Sequence, residues 1–270
     1  VSLLLGTTPG AFASPRDYYL PREVEADSGH LGLKGMTTIG DFNEDGIPDA
    51  VILTSSLSFA PGLGDGTFGH GVAVLPRTGD YFYQQIRSAD FNGDGHLDVA
   101  YLAGNGTVVV LGNGAGGFTP LQLMPWQAFP GGPNNGTTGG QNLAVGDFSG
   151  DGHADIAVRT WNYNSLSGNV EIWVYDPAAN VGNGGFNYLP DTGLQMLLGR
   201  TPDDTIQHER GSNISLGDFD GDQILDLIIH VGGLAPGTYI APPEGVPERL
   251  YWFKGKHTAN PAEVSELFEA

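Results

Sequence analysis

The sequence predicts an all-β chain: a β-propeller built of four-stranded antiparallel blades. Three observations point there. A nine-residue acidic motif occurs four times, a glycine turn ending in phenylalanine recurs between the copies, and β-like apolar runs flank both. The motif starts lie 49, 57 and 71 residues apart. Units of about 50 residues carrying four short strands are what a propeller blade requires. A β-solenoid needs shorter repeats, and an immunoglobulin-like sandwich does not repeat internally at this period.

The acidic motif runs from Asp41 to Asp49, Asp90 to Asp98, Asp147 to Asp155 and Asp218 to Asp226. Oxygen-bearing side chains stand at positions 1, 3, 5 and 9, with glycine at position 6 in three copies. Alternate spacing turns such oxygens toward one point, and a hard cation such as Ca²⁺ takes about six to eight of them. The carbonyl at position 7 adds another. Up to position 5 the motif follows an EF-hand loop, but position 12 is Leu53, Leu102, Val158 or Ile229 rather than glutamate. The flanks are also β-like, so an EF-hand is excluded. Four copies predict about four Ca²⁺ ions.

The glycine turns follow apolar runs and end on Phe12, Phe68, Phe118 and Phe186. They read as hairpins joining the third and fourth strands of a blade. In the second repeat the strands are expected at Gln84–Ala89, Leu97–Leu102, Thr107–Leu111 and Phe118–Met124. In the last they are expected at Ser212–Gly217, Leu225–His230, Leu250–Lys254 and Glu263–Phe268. The blades divide at about 36–83, 84–140, 141–211 and 212–270. Residues 1–35 form a partial blade, in which Val1–Phe12 aligns with strand 3, the turn and the start of strand 4.

These motifs resemble the FG-GAP/VCBS repeat family, the calcium-binding propeller repeat of integrin α-subunit heads and many secreted microbial proteins. The resemblance rests on the Asp-Phe-Asn-Gly-Asp-Gly-x-x-Asp loop followed by Gly-Asn-Gly-x-Gly-Phe, and it covers nearly the whole chain. It implies a calcium loop between strands 1 and 2 of each blade. The implied ligands are Asp41, Asn43, Asp45 and Asp49; Asp90, Asn92, Asp94 and Asp98; Asp147, Ser149, Asp151 and Asp155; and Asp218, Asp220, Asp222 and Asp226. Two loops depart from the pattern. Ser149 is a poorer ligand than Asn or Asp, and Gln223 replaces the bend glycine, so the fourth loop is expected to be distorted. The resemblance also suggests seven blades, the remainder coming from the same parent chain or a partner chain.

Composition agrees. The 270 residues hold 43 glycines and 18 prolines, only 16% are charged, and 40% are hydrophobic. That suits a turn-rich β protein with a real core. The formal charge is −20, and 13 of the 31 acids lie at the loop positions. Four bound Ca²⁺ would bring the charge to about −12. The acidity disfavours nucleic acid and anionic membranes as partners. There is no cysteine, which excludes disulfides, thiolate zinc sites and cysteine nucleophiles. No apolar run is long enough to span a membrane. The sequence opens on Val1 without a leader-like segment, which reads as a processed chain or a fragment.

Strands of a blade alternate in direction, so the acidic loops and glycine turns share one face. The long connections 125–141, 160–168, 191–211 and 232–248 fall on the other, where binding is usually carried. They present Trp126, Phe129, Trp161, Tyr163 and Tyr239 beside amides. Rings beside amides suit sugar recognition; they equally suit pinning the loops to the propeller. Trp173 and Trp252, in third strands, read as packing residues. His96 and His153, at loop position 7, are expected to be exposed rather than ligating. Asn105, Asn135 and Asn213 head N-x-S/T sequons, potential glycan acceptors, with Asn135 in the long loop the best placed.

No nucleophile elbow, P-loop or dinucleotide fingerprint occurs, and the repeated acidic spacing is explained by cations rather than by a glycosidase pair. The expectation is a secreted or cell-surface, non-enzymatic calcium-binding propeller for adhesion or surface assembly, its partner an extracellular protein or glycan. The alternatives are a lectin-like propeller and a non-catalytic domain of a secreted polysaccharide-acting enzyme.

Overall fold

The computed structural model describes residues 2–3, 6–8, 11–12, 16–17, 36–53, 56–76, 85–126, 138–162, 167–179, 184–189, 213–231, 249–256 and 267–269. They form four blades of a β-propeller, each an antiparallel sheet of four strands in sequence order. The first holds β5 (Met36–Gly40), β6 (Asp49–Leu53), β7 (Ser56–Ala60) and β8 (Val72–Pro76). The second holds β9 (Ile86–Ala89), β10 (Asp98–Ala103), β11 (Gly106–Gly112) and β12 (Phe118–Pro125). The third holds β13 (Thr138–Gly146), β14 (Asp155–Asn162), β15 (Ser167–Asp176) and β16 (Gly185–Leu189). The fourth holds β17 (Asn213–Gly217), β18 (Asp226–Val231), β19 (Arg249–Gly255) and β20 (Phe268–Glu269). The third blade starts at Thr138, slightly before the expected boundary at 141.

Ahead of them lie two short strand pairs: β1 (Ser2–Leu3) with β4 (Arg16–Asp17), and β2 (Gly6–Thr8) with β3 (Ala11–Phe12). Their register follows that of the blades. Gly6 pairs Phe12 as Gly62 pairs Phe68, Gly112 pairs Phe118 and Gly255 pairs Phe268. This segment therefore has the strand 3–turn–strand 4 pairing read from the sequence.

Each motif's last aspartate is the first residue of the blade's second strand. In the first two blades these second strands are apolar after the aspartate, without alternation, as suits strands covered on both faces. Every residue of β6 and β10 is buried. The first strands of successive blades lie side by side and are stitched by polar side chains. Thr38 and Ser88 share a hydroxyl hydrogen bond of 2.9 Å. The Gln85 side chain accepts from the Leu143 amide at 2.8 Å, and Asn142 accepts from the Ile214 amide at 3.1 Å. Further out, the Gln122 carboxamide accepts from the Phe186 amide at 2.7 Å and donates to its carbonyl at 3.1 Å.

The phenylalanine at motif position 2 has a definite partner. Phe42 packs edge-on against Phe118 of the next blade with ring centroids 5.8 Å apart. Phe91 meets Phe186 at 5.5 Å, and Phe148 meets Phe268 at 5.7 Å. Each of these three loops thus clasps a fourth-strand phenylalanine of the following blade. Phe219 of the fourth blade is 51% exposed, and Leu250 and Trp252 of the same blade are 66% and 48% exposed.

The Trp252 exposure differs from the packing role expected. Trp252 and the buried Phe253 are adjacent strand residues and so face opposite sides. Ile172, the equivalent of Trp252 one blade earlier, lies in the core shared with the fourth blade. Trp252 faces away from that core. Trp173 packs as expected, buried against Tyr188 at 5.2 Å.

Truncating Phe91, fully buried between two blades, should cost about 3–5 kcal/mol of unfolding free energy. Truncating Phe219 should change it by no more than about 0.5 kcal/mol. Urea unfolding of Phe91→Ala and Phe219→Ala measures both, and similar losses would break the clasp account.

Candidate metal-binding loops

The four acidic loops share one hydrogen-bond scheme. The position-1 carboxylate accepts the amide of position 6 at 2.9 Å in every copy: Gly46 to Asp41, Gly95 to Asp90, Gly152 to Asp147, Gln223 to Asp218. The position-5 carboxylate accepts the amide of position 7, from Ile47, His96, His153 and Ile224, at 2.8–3.0 Å. Positions 4 and 6 take left-handed backbone in all four copies, including the two that are not glycine, Glu44 at φ 60° and Gln223 at φ 70°. The fourth loop therefore keeps the common shape, contrary to the distortion expected. The tight turn is fixed by the amides it delivers to Asp218, and Gln223 absorbs the backbone strain.

Position 9 has a different part from positions 1, 3 and 5. Asp49, Asp98, Asp155 and Asp226 are completely buried. One oxygen of each accepts the amide of position 2, from Phe42, Phe91, Phe148 and Phe219, at 2.9–3.2 Å. The other accepts an amide at the end of the third strand, from Gly62, Gly112, Tyr175 and Gly255, at 2.7–3.0 Å. Read from the sequence as ligands, these carboxylates are first of all struts between loop and sheet. Burial pushes Asp98 up to about 6 and Asp155 up to about 7, against the pull of those amides.

Positions 1, 3 and 5 are exposed or partly exposed in the loops, apart from Ser149, which is buried. In the fourth, oxygens of Asp218, Asp220 and Asp222 all lie within 4.8 Å of one another, close enough to serve one ion. Asn43 and Asn92 each turn an amide N–H to the free oxygen of position 5, Asp45 or Asp94, at 2.9 Å. Ser149 Oγ is buried, and its hydroxyl favours the charged form of Asp155. An all-oxygen donor set of this kind fits a hard cation. In the fourth loop Lys254 Nζ donates to Asp222 at 2.6 Å and also to Asp220. That hydrogen bonding holds Asp222 below the usual carboxylate range and Lys254 above the usual lysine range.

Neighbouring loops also touch. His96 pairs with Glu44 of the preceding loop, whose hydrogen bond raises the imidazole's pKa. His153 stacks on Tyr175 with ring centroids 4.8 Å apart, and its ring lies beside Gly93 of the preceding loop. Both histidines, expected to be exposed, are only partly so, and they join adjacent loops. Spacing within one motif could not reveal this, because the partners are about one repeat away.

On the opposite face, Trp126 is partly buried against the core between the second and third blades, and its indole N–H donates to the Gly104 carbonyl at 3.1 Å. It pins its own segment, the packing alternative of the two read from the sequence. Trp161 lies in β14, but its side chain, like Phe129, Tyr163, Tyr239 and Asn135, lies outside the described residues. Asn105 is exposed in the turn between β10 and β11. The Asn213 side chain accepts from Asn142 at 3.2 Å, so its amide is engaged across the blade junction.

Residues 41–101 and 90–158 match the family model of the FG-GAP-like repeat. These stretches contain the first three loops; the fourth shares their hydrogen bonds. Among solved structures, the chain is similar to one of an Agrocybe aegerita lectin, described as recognising non-reducing terminal N-acetylglucosamine. The identity is 21% and the TM-score 0.46, covering 79% of this chain and 51% of that one. It is also similar to the Photorhabdus luminescens Tc holotoxin pore, at 15% identity and TM-score 0.37, covering 94% of this chain and 13% of that one. The chain thus spans about half of the lectin and a small part of the toxin. No curated protein matches the chain.

A non-glycine residue in left-handed backbone costs about 1–2 kcal/mol, partly offset by the larger entropy that glycine loses on folding. Gln223→Gly should therefore stabilise the chain by about 0.5–1 kcal/mol. Denaturant unfolding checks this, and a loss of stability would show that the Gln223 side chain supports the loop.

Proposed function

We propose that this chain of FG-GAP-like repeats is a calcium-stabilised, non-enzymatic recognition module, secreted or displayed at a cell surface. The observation that carries the reading is the repetition of one loop geometry, with an oxygen set suited to a hard cation, along one face of the propeller. The residues that would hold the ion in the first three loops are Asp41, Asn43 and Asp45; Asp90, Asn92 and Asp94; and Asp147, Ser149 and Asp151. The carboxylates Asp49, Asp98 and Asp155 hold each loop against its blade. When bound, Ca²⁺ would supply positive charge at a point where like charges otherwise face one another across a tight turn. The protein's own part is to present those oxygens on a backbone already shaped by amide hydrogen bonds.

Recognition is assigned to the opposite face, where the connections are long and the scaffold beneath is rigid. The favoured partner is an extracellular protein, engaged for adhesion or surface assembly. A second reading, carbohydrate binding, is favoured by Trp161-Asn162-Tyr163-Asn164, where rings alternate with amides that can bond hydroxyls. Trp126 contributes little to it, since its N–H is used within the protein. A non-catalytic part in a larger secreted polysaccharide-acting protein is compatible with either.

Calcium should raise the melting temperature, and Asp94→Asn, which keeps an oxygen for the His96 amide while removing the charge, should reduce that gain while leaving the melting temperature in chelator nearly unchanged. Calorimetric melts in millimolar calcium and in chelator measure both, and equal destabilisation in the two conditions would overturn the calcium role. A glycan array probed in calcium decides the partner: binding lost on Trp161→Ala would establish the carbohydrate reading. Absence of glycan binding by folded protein would leave the protein-partner reading in place.

A further inference from the structure

We infer that in the fourth blade the Lys254 ammonium occupies the cation position of the acidic loop, so that this blade is closed without a metal ion. The inference builds on the reading of the first three loops as calcium sites, but its own evidence is separate. Lys254 Nζ donates to Asp222 at 2.6 Å and to Asp220, two of the three carboxylates whose oxygens cluster in this loop.

The placement of Lys254 is particular to this blade. The residue after it, Gly255, donates its amide to the position-9 carboxylate, as Gly62, Gly112 and Tyr175 do elsewhere. The residue before that donor is therefore structurally equivalent in every blade. It is Pro61, Leu111 and Val174 in the first three and Lys254 in the fourth. Only the fourth blade sends a base from this point toward its loop.

The charges match. Position 3 is neutral in the first three loops, as Asn43, Asn92 and Ser149, and acidic in the fourth, as Asp220. The additional acid and the base occur in the same blade and contact each other, so positions 1, 3, 5 and 9 of all four loops carry the same formal charge once Lys254 is counted. An ammonium is a compact cation with three donors, suited to carboxylate oxygens gathered around one point. The lysine stem rises from the end of β19, which is anchored through Gly255 to Asp226. A divalent ion entering this loop would have to displace a cation supplied by the same chain.

The test compares calcium stoichiometry in wild type and Lys254→Met by equilibrium dialysis at millimolar calcium, with native mass spectrometry as the second count. The variant should bind one more ion per chain than wild type, and its melting temperature should fall further on chelation. If Lys254→Met fails to fold, the double variant Asp220→Asn with Lys254→Met, which copies the ligand pattern of the first two loops, should gain the same ion. An equal count in wild type and variant, or a lower count in the variant, would overturn the inference. The absolute count in wild type tests the first three loops separately: zero ions in wild type and one in the variant would remove the calcium reading there while sustaining the role of Lys254.

Discussion

The buried carboxylate at the head of each second strand is the contact on which the rest of the blade depends. Asp49, Asp98, Asp155 and Asp226 reach in two directions, to the amide of the loop residue that precedes the turn and to the amide that ends the third strand. Hydrogen bonds to a charged group contribute about 1.5–3 kcal/mol each, and a buried amide left unpaired costs about as much. One side chain therefore fixes the loop, the start of strand 2 and the end of strand 3 together. The arrangement also restricts its neighbours. At Gly112 a Cβ would run into the Leu97 carbonyl of the same loop, which explains the glycine where the strand meets the motif.

With each blade fixed in this way, joining blades becomes a matter of matching side chains. The aromatic clasp places motif position 2 of one blade on a fourth-strand phenylalanine of the next, while the acidic positions on either side of it face outward. The motif thus serves two surfaces at once. Its odd positions form the acidic loop, and its second position supplies an apolar contact to the neighbouring blade. Polar stitches between the first strands, and further out between fourth strands, tie adjoining blades together. Gln85, Gln122 and Asn142 each satisfy a backbone group of the adjoining blade, where the two sheets do not share a ladder.

Much of this was legible in the sequence because it repeats. Four copies of the motif gave the blade count, the strand order and the outward-facing loops, and the glycine-to-phenylalanine spacing gave the pairing of strands 3 and 4. What was not legible depends on contacts across a repeat. The motif shows an oxygen at position 9 but not that amides from two directions bury it. Gln223 reads as a defect until the left-handed backbone at Glu44 shows that the loop imposes this conformation on other residues too. Lys254 lies 32 residues from Asp222, in a strand with no motif of its own, so its role appears only when the strands are aligned by their hydrogen bonds. Trp252 was misread because its strand pattern shows two covered faces only where a further blade packs against it.

These contacts bear on how so acidic a chain tolerates its own charge. The acids are handled locally, and by several means. Position-1 and position-9 carboxylates are met by backbone amides, which need no external ion. Glu44 is met by His96 of the next blade, and Asp220 and Asp222 by Lys254. In the first three loops the position-1 and position-5 carboxylates still face one another without a lysine or arginine in the same loop. Because amides already hold the turns in shape, a cation arriving there would meet a preorganised ring of oxygens and would have little backbone to order. Its contribution would then be mainly the relief of repulsion. Calcium would act on the strength of the first three blades rather than on whether they form.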